Sequence, residues 1–406
     1  MIEVPPTPTD EPTLLVTLTG PDRPGVTARL FAALTDPTIV VLDVEQVVVR
    51  GHLTLAVLLT AGDDPQGVQR DLTLAGESMG MNVNCRKGSG DNAPRRSGRL
   101  HVTVLGAPLR PTALQAIAEA IAEHGGNIDR IRRISRWPVT TVEVDVSGAD
   151  VTKLRHELSA LATAQGVDVA VSPAGLARRG RRLVVMDVDS TLVQDEVIEL
   201  IAARAGREAE VAAITARAMH GELDFATSLH ERVALLAGLP ASVLDDVREQ
   251  VRLTPGARTL VRTLKRLGFT VGLVSGGFIE IVRPLADLLD IDHAEANRLE
   301  VVDGRLTGRV VGAVMDRAGK AAALHRFAAA EGIALARTIA IGDGANDLDM
   351  LDAAGLGIAF NAKPVVRAQA DASVTVPYLD AVLYLLGIPR EEVEDADEAD
   401  GVADEH

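Results

Sequence analysis

Four short polar clusters in this chain hold residues that can do chemistry together. In "MDVDST", Asp187 and Asp189 stand two residues apart, directly after the apolar run "LVVM". Charges at the edge of a core need a partner. Asp343 and Asp347 lie in "GDGANDLDM", again straight after an apolar stretch, "TIAI". If both stretches are strands of one parallel sheet, their carboxylates meet at its carboxyl end, where the sites of open α/β sheets lie. Several carboxylates in one place demand a cation. Oxygen ligands without Cys or His at ligand spacing favour Mg²⁺ over zinc. Mg²⁺ bridges readily to phosphate, so the implied substrate carries a phosphoryl group. Ser275, with Gly276 and Gly277 behind it in "TVGLVSGG", and Lys320, in "RAGK" at the start of an Ala-rich helix, would supply donors and positive charge for it.

The motifs "DVDST", "SGG", the Lys320 of "RAGK" and "GDGANDLDM" together resemble the haloacid dehalogenase superfamily of phosphatases, in order and in spacing, over residues 182–388. Further residues are similar to the branch of that superfamily acting on O-phospho-L-serine: Glu196, Met219 and Phe225 in "AMHGELDF", and Arg232 in "SLHERVALL". The resemblance implies a role for each. Asp187 would be the nucleophile, forming an aspartyl-phosphate. Asp189 would protonate the leaving serine oxygen and then activate water. Mg²⁺ would be held by the side chains of Asp187 and Asp343 and the backbone carbonyl of Asp189, with Asp347 orienting that shell. Ser275 and Lys320 would hold the phosphate, with Asn346 and the Gly276 backbone hydrogen-bonding the substrate. Glu196 would face the substrate ammonium and Arg232 its carboxylate, a task for the planar guanidinium fork. Met219 and Phe225 would close over the site.

The division of labour between the two aspartates also follows from their chemistry. A metal on Asp187 keeps it ionised, whereas Asp189, without its side chain on the metal, can take up a proton. The resemblance implies Mg²⁺-dependent hydrolysis of O-phosphoserine to L-serine, the last step of serine synthesis. The alternatives are a phosphatase of another small phosphoester or of phosphoproteins, and an amino-acid sensor whose catalytic half has decayed.

Positioning these clusters requires a parallel α/β sheet. Apolar strands alternate with helical stretches from about residue 182, the pattern of a Rossmann-like fold. Strands are expected at "RLVVM", "TVGLV" and "TIAI". The long helical patterning of residues 195–250, just after the first strand, predicts a helical cap.

The N-terminal half is a divergent repeat. "TLLVTLTGPDRPGVTARLFAAL" and "RLHVTVLGAPLRPTALQAIAEAIAEHGG" each run strand, Gly/Pro loop, helix, with Gly106 in place of Gly20. Each continues into β-branched alternation, which predicts two ferredoxin-like α+β sandwiches. They resemble ACT domains, small-ligand regulatory modules, over residues 12–85 and 99–171. The loop "GPDRPG", with Gly20, Asp22 and Gly25, opens a helix whose free amides suit a carboxylate. The resemblance implies L-serine as a regulator and a homodimer through these domains. The second copy has Thr112 in place of Gly25.

Composition narrows the rest. Net charge is −16, which disfavours nucleic acid or an anionic membrane as partner. Nine acidic residues crowd the tail after Pro389, so residues 389–406 are expected to be disordered. One cysteine, Cys85, rules out an internal disulfide, and the nine histidines show no metal spacing. No run approaches the roughly 18 apolar residues of a membrane helix, and the expected location is the cytoplasm.

Overall fold

The computed structural model describes residues 12–90, 98–175, 180–219 and 222–402. The chain forms two units, the first ending at residue 94.

In the first unit, β1 (Pro12–Pro21) leads through a helix at Val26–Ala32 to β2 (Val41–Val49) and β3 (His52–Thr60). A helix at Pro65–Ser78 then returns to β4 (Asn82–Ser89). The antiparallel sheet has the order β2-β3-β1-β4, so the expected ferredoxin-like sandwich is present. Alternation sets its faces. Leu14, Val16, Leu18, Leu53, Leu55 and Val57 turn inward and meet Val26, Leu30, Val68 and Leu72 of the helices. The second helix starts where it does because Asp64 accepts a hydrogen bond from the Gly67 amide at 2.9 Å, satisfying a donor the helix itself cannot. The polar, basic and Gly-rich stretch "RKGSGDNAPRRSG" (86–98) reads as a linker, but it is strand as far as Ser89; residues 91–97 lie outside the described residues.

The second unit opens with the second copy. It comprises β5 (Leu100–Gly106), a helix at Pro111–Glu123, β6 (Asn127–Ser135), β7 (Thr140–Ser147), a helix at Val151–Gln165 and β8 (Asp168–Pro173), in the order β6-β7-β5-β8. One face of this sheet packs on its own helices. The other supplies Leu105, Ile134, Val139 and Ala170 to the core of the C-terminal sheet. Asp168 accepts hydrogen bonds from the Thr375 amide at 2.8 Å and the Ser373 hydroxyl at 2.7 Å, and Arg155 lies 2.7 Å from Asp371. The second copy is therefore fastened to the C-terminal sheet, although the Gly- and Arg-rich "SPAGLARRGRR" (172–182) reads as a linker.

The C-terminal sheet has seven strands: β9 (Leu183–Asp187), β10 (Thr270–Phe278), β11 (His293–Val302), β12 (Arg305–Val311), β13 (Thr338–Gly342), β14 (Leu356–Phe360) and β15 (Ala372–Val374). Their order is β12-β11-β10-β9-β13-β14-β15, and only β12 is antiparallel to its neighbour. The central strand β9 is buried along its whole length, which is why it reads as a continuous apolar run. The chain leaves β9 for β10 on one side and later returns to β13 on the other. Strand order reverses there, and a crevice opens at the carboxyl ends. Between β9 and β10, helices at Val197–Ala205, Glu208–Met219, Phe225–Ala234 and Val243–Arg248 form the cap. Four strands escape the sequence pattern. β11 mixes Asn, Arg and Glu into its run, β12 is an edge, β14 has only five residues and β15 only three.

The acidic tail corrects an expectation: Arg390–Ala399 is a helix. Its charge is met from another helix, Ala257–Arg266. Arg262 holds Asp397 at 3.0 and 2.6 Å, and Arg266 pairs with Asp397 and Asp400. Self-repulsion within the run is offset by arginines that local sequence does not reveal. Residues 403–406 lie outside the described residues. Among the described residues, no helix is long and apolar enough to cross a membrane.

Candidate active site

Asp187 is the last residue of β9 and only 3% exposed. The tight turn after it, Val188–Leu192, buries Val188 in the core and carries Asp189 in extended geometry (φ −63°, ψ 131°) before Ser190 crosses to φ 57°. This kink brings the Asp189 carboxylate back toward the strand ends. Its Oδ1 accepts from the Val197 amide at 2.8 Å, and its Oδ2 accepts from the Ser275 hydroxyl at 3.0 Å.

Lys320 lies in the first turn of a helix at Arg317–Ala330 that begins at Asp316, whose carboxylate accepts from the Gly319 amide at 2.8 Å. Its ammonium is 2.7 Å from Asp187 Oδ1 and 2.7 Å from Asp347 Oδ1. Asp347 also accepts from the Gly344 amide at 3.0 Å. Gly342 makes room for it, since a Cβ there would stand 2.4 Å from the Asp347 Cγ. Asp187, Asp343 and Asp347 each offer an oxygen within 4.8 Å of the others. Asp347 thus shares the cluster while one of its oxygens is held by Lys320.

One ammonium faces three carboxylates, and the imbalance shows in their acidities. Burial, and then the charge of Asp347, pushes the Asp187 carboxyl well above its ordinary range. The same two causes push Asp343 up to about 6. Burial raises Asp189 as well. For Lys320, burial opposes the charged form, but Asp187 and Asp347 outweigh it and the pKa rises. Three oxygen donors with surplus negative charge, and no sulfur or imidazole among them, fit a hard divalent cation.

The wall opposite is made by Ser275, Gly276 and Gly277. Ser275 Oγ accepts from the Gly277 amide at 2.7 Å. A Cβ on Gly277 would lie 3.0 Å from Asp189 Oδ2, and one on Gly276 would lie 3.0 Å from the Phe225 ring. Phe225 of the cap therefore reaches this wall. The side chain of Met219 lies outside the described residues. Glu196 is open to solvent at the mouth and accepts from Ser190 Oγ at 2.9 Å. Although its outer edge meets water, desolvation by the surrounding site, then the charge of Asp189, pushes it up to about 7. Arg232 is half-buried, its Nε donating to the Ser228 carbonyl at 3.2 Å. Burial lowers its pKa, with Glu196 the largest charge acting the other way. The half-buried Asn346 folds its side-chain oxygen over Gly344, to 2.0 Å from where a Cβ would be.

One residue goes unnoticed in the sequence. Asn297 is 1% exposed and bridges the Gly276 carbonyl and the Met315 amide. An Asn inside a strand is an available clue, because strands are depleted in it. The structure also groups His101 with Glu143 and Asp145, which histidine spacing does not suggest. Arg132, 2.6 Å from Glu143, already supplies counter-charge there.

In the first unit, Gly25 adopts φ 88° before the short helix at Val26, a conformation that favours glycine. Gly20 is buried, and a Cβ on it would lie 2.5 Å from the Met81 sulfur. The Asp22 amide donates to the Gly51 carbonyl at 2.8 Å.

Residues 184–352 match the haloacid dehalogenase-like hydrolase family, and residues 12–86 and 100–172 each match an ACT-domain family. The phosphoserine phosphatase of Streptomyces coelicolor is 61% identical, over 96% of this chain and 95% of its own. Phosphoserine phosphatase SerB2 of Mycobacterium tuberculosis is 53% identical, over 95% of this chain and 96% of its own. Among solved structures, an unliganded probable phosphoserine phosphatase from Vibrio cholerae superposes with a TM-score of 0.57 at 34% identity. That match covers 73% of this chain and 88% of the other.

Proposed function

The chain belongs to the phosphoserine phosphatases of the haloacid dehalogenase-like hydrolases, and on that footing we propose that it hydrolyses O-phospho-L-serine to L-serine and phosphate, the closing reaction of serine synthesis. The carrying observation is the pair of carboxylates at the end of β9, one against Lys320 and one against Ser275.

Asp187 attacks phosphorus. Its bond to phosphorus forms as the bond to the serine oxygen breaks, and Asp189 gives its proton to that oxygen. Water then attacks the aspartyl-phosphate, Asp189 takes the water's proton, and phosphate departs with Asp187 restored. A carboxyl raised by burial suits Asp189 to holding that proton. Lys320 and Ser275 bind the phosphoryl oxygens, the Ser275 hydroxyl turning to them from Asp189 once substrate is in place, and Asn346 and the Gly276 backbone help orient the substrate. Glu196 takes the ammonium and Arg232 the carboxylate, while Phe225 and Met219 close the cap. Mg²⁺, held by the side chains of Asp187 and Asp343 and the Asp189 carbonyl, would offset phosphoryl charge. Asp347 would orient that shell, with Lys320 as its partner. L-serine acts as a regulator at Gly20, Asp22 and Gly25, and two chains pair through residues 1–171.

Phosphate release from L-phosphoserine tests the reading. Release is expected with Mg²⁺ and should stop with a chelator. Faster release from p-nitrophenyl phosphate or a phosphopeptide would overturn the substrate.

A further inference from the structure

Strands β10 and β11 lose register at the site. Ser275 pairs with Ala296, and the next pair is Phe278 with Asn297. Gly276 and Gly277 bulge out of the ladder, which leaves the Gly276 carbonyl in need of a donor. Asn297 supplies it, with its Nδ2 donating at 2.8 Å. Its Oδ1 accepts from the Met315 amide at 2.7 Å. A backbone N–H can only donate, so that bond fixes which end of the Asn297 amide is oxygen.

The Gly276 carbonyl and the Gly277 N–H belong to one planar peptide. Asn297 grips the carbonyl end, and the N–H end donates to Ser275 Oγ at 2.7 Å. With that lone pair occupied, the Ser275 hydroxyl donates onward to Asp189 Oδ2 at 3.0 Å. Every donor in the series points the same way, from Asn297 to Asp189. The second arm of Asn297 ends on Met315, one residue before the Asp316 cap of the helix that bears Lys320.

We propose that Asn297 is a positioning residue for phosphoryl transfer: it holds the Gly276–Gly277 peptide that aims the Ser275 hydroxyl at Asp189, and ties that peptide to the loop before Lys320. The proposal rests on the reaction assigned above but concerns only its phosphoryl end, so it holds for any phosphoester the site accepts.

Asn297→Leu keeps the size of the side chain and removes both arms; Asn297→Ala serves if the leucine variant does not fold. With L-phosphoserine and p-nitrophenyl phosphate, kcat should fall roughly tenfold to hundredfold on both, the scale of a slightly misplaced reacting group. KM for phosphoserine should change less than about threefold, because Glu196 and Arg232 are untouched. In a Ser275→Ala background the same substitution should cost less than about threefold more, since its effect passes through Ser275. An unchanged kcat in a folded variant overturns the proposal, as does a loss that multiplies fully with Ser275→Ala. If the wild-type chain turns over p-nitrophenyl phosphate but not phosphoserine, the substrate assignment fails, and the Asn297 comparison is still read on p-nitrophenyl phosphate.

Discussion

The Lys320 ammonium stands 2.7 Å from Asp187 Oδ1, and both groups are almost wholly out of water. Lys320 equally serves Asp347, so one cation underwrites two buried anions. Lys320→Met should therefore destabilise the chelated protein by about 3–5 kcal/mol, the usual cost of orphaning a buried partner. Thermal unfolding with EDTA reads this. A melting temperature equal to wild type would mean that the carboxylates find another counter-charge.

Asp187→Asn should do the opposite to stability while stopping turnover. The Asp187 carboxyl is raised on folding, so its charged form is disfavoured in the native state, and a neutral amide relieves that at pH 8. An amide cannot attack phosphorus. Residual phosphate release near wild-type rates would remove Asp187 from the mechanism. Asp189→Asn should slow release roughly 10²–10⁴-fold.

Stability without metal should depend on pH through Asp343. Its ordinary value is 3.8 and its folded value about 6. A carboxyl raised on folding keeps its proton longer in the native state, so its contribution is complete below about pH 4. It is lost as pH rises through about 6. In EDTA, Asp343→Asn should match wild type near pH 4 and exceed it above pH 6. Parallel denaturation curves across that range would refute the link. Mg²⁺ should favour wild type at the higher pH, since the amide is the poorer ligand.

Substrate selection is expected to rest on Arg232. Arg232→Lys keeps the charge and loses the planar fork. KM for phosphoserine should rise about tenfold, while p-nitrophenyl phosphate, which has no carboxylate, should be little affected. Equal losses on both substrates would give Arg232 a structural task.

The residues that sequence reveals are those whose chemistry is written in their type. Asp187, Asp189, Ser275, Lys320 and Asp343 follow apolar strands or open a helix, so strand-end geometry brings them together. Asn297 leaves only the trace of an Asn within a strand, because its task depends on a register shift between β10 and β11, a relation between distant segments. The helical tail is missed for the same reason, since Arg262 and Arg266 meet it only in the fold. So is the union of the second copy with the C-terminal sheet, where Leu105 and Ala170 look like ordinary strand residues until that face is covered.

That union decides how regulation must be tested. A chain starting at residue 182 would expose the surface that Leu105, Ile134, Val139 and Ala170 cover, so its loss of response would mean little. A chain starting at residue 98 removes only the first unit. In that unit β2 is an edge strand, with Val44, Val47 and Val49 exposed at 48%, 54% and 62%. An open apolar edge invites pairing, which supports a homodimer. Gly25→Ala meets no atom within 4 Å, so its effect would come from backbone strain at φ 88°, roughly 1–2 kcal/mol. It should weaken inhibition by L-serine severalfold and spare kcat without serine, because coupling requires serine to favour one arrangement of the pair. Serine titrations of the full chain, of Gly25→Ala and of the chain from residue 98 separate the outcomes. Equal inhibition in all three would be product competing at Asp187, and the loop at Gly25 would have no part in it.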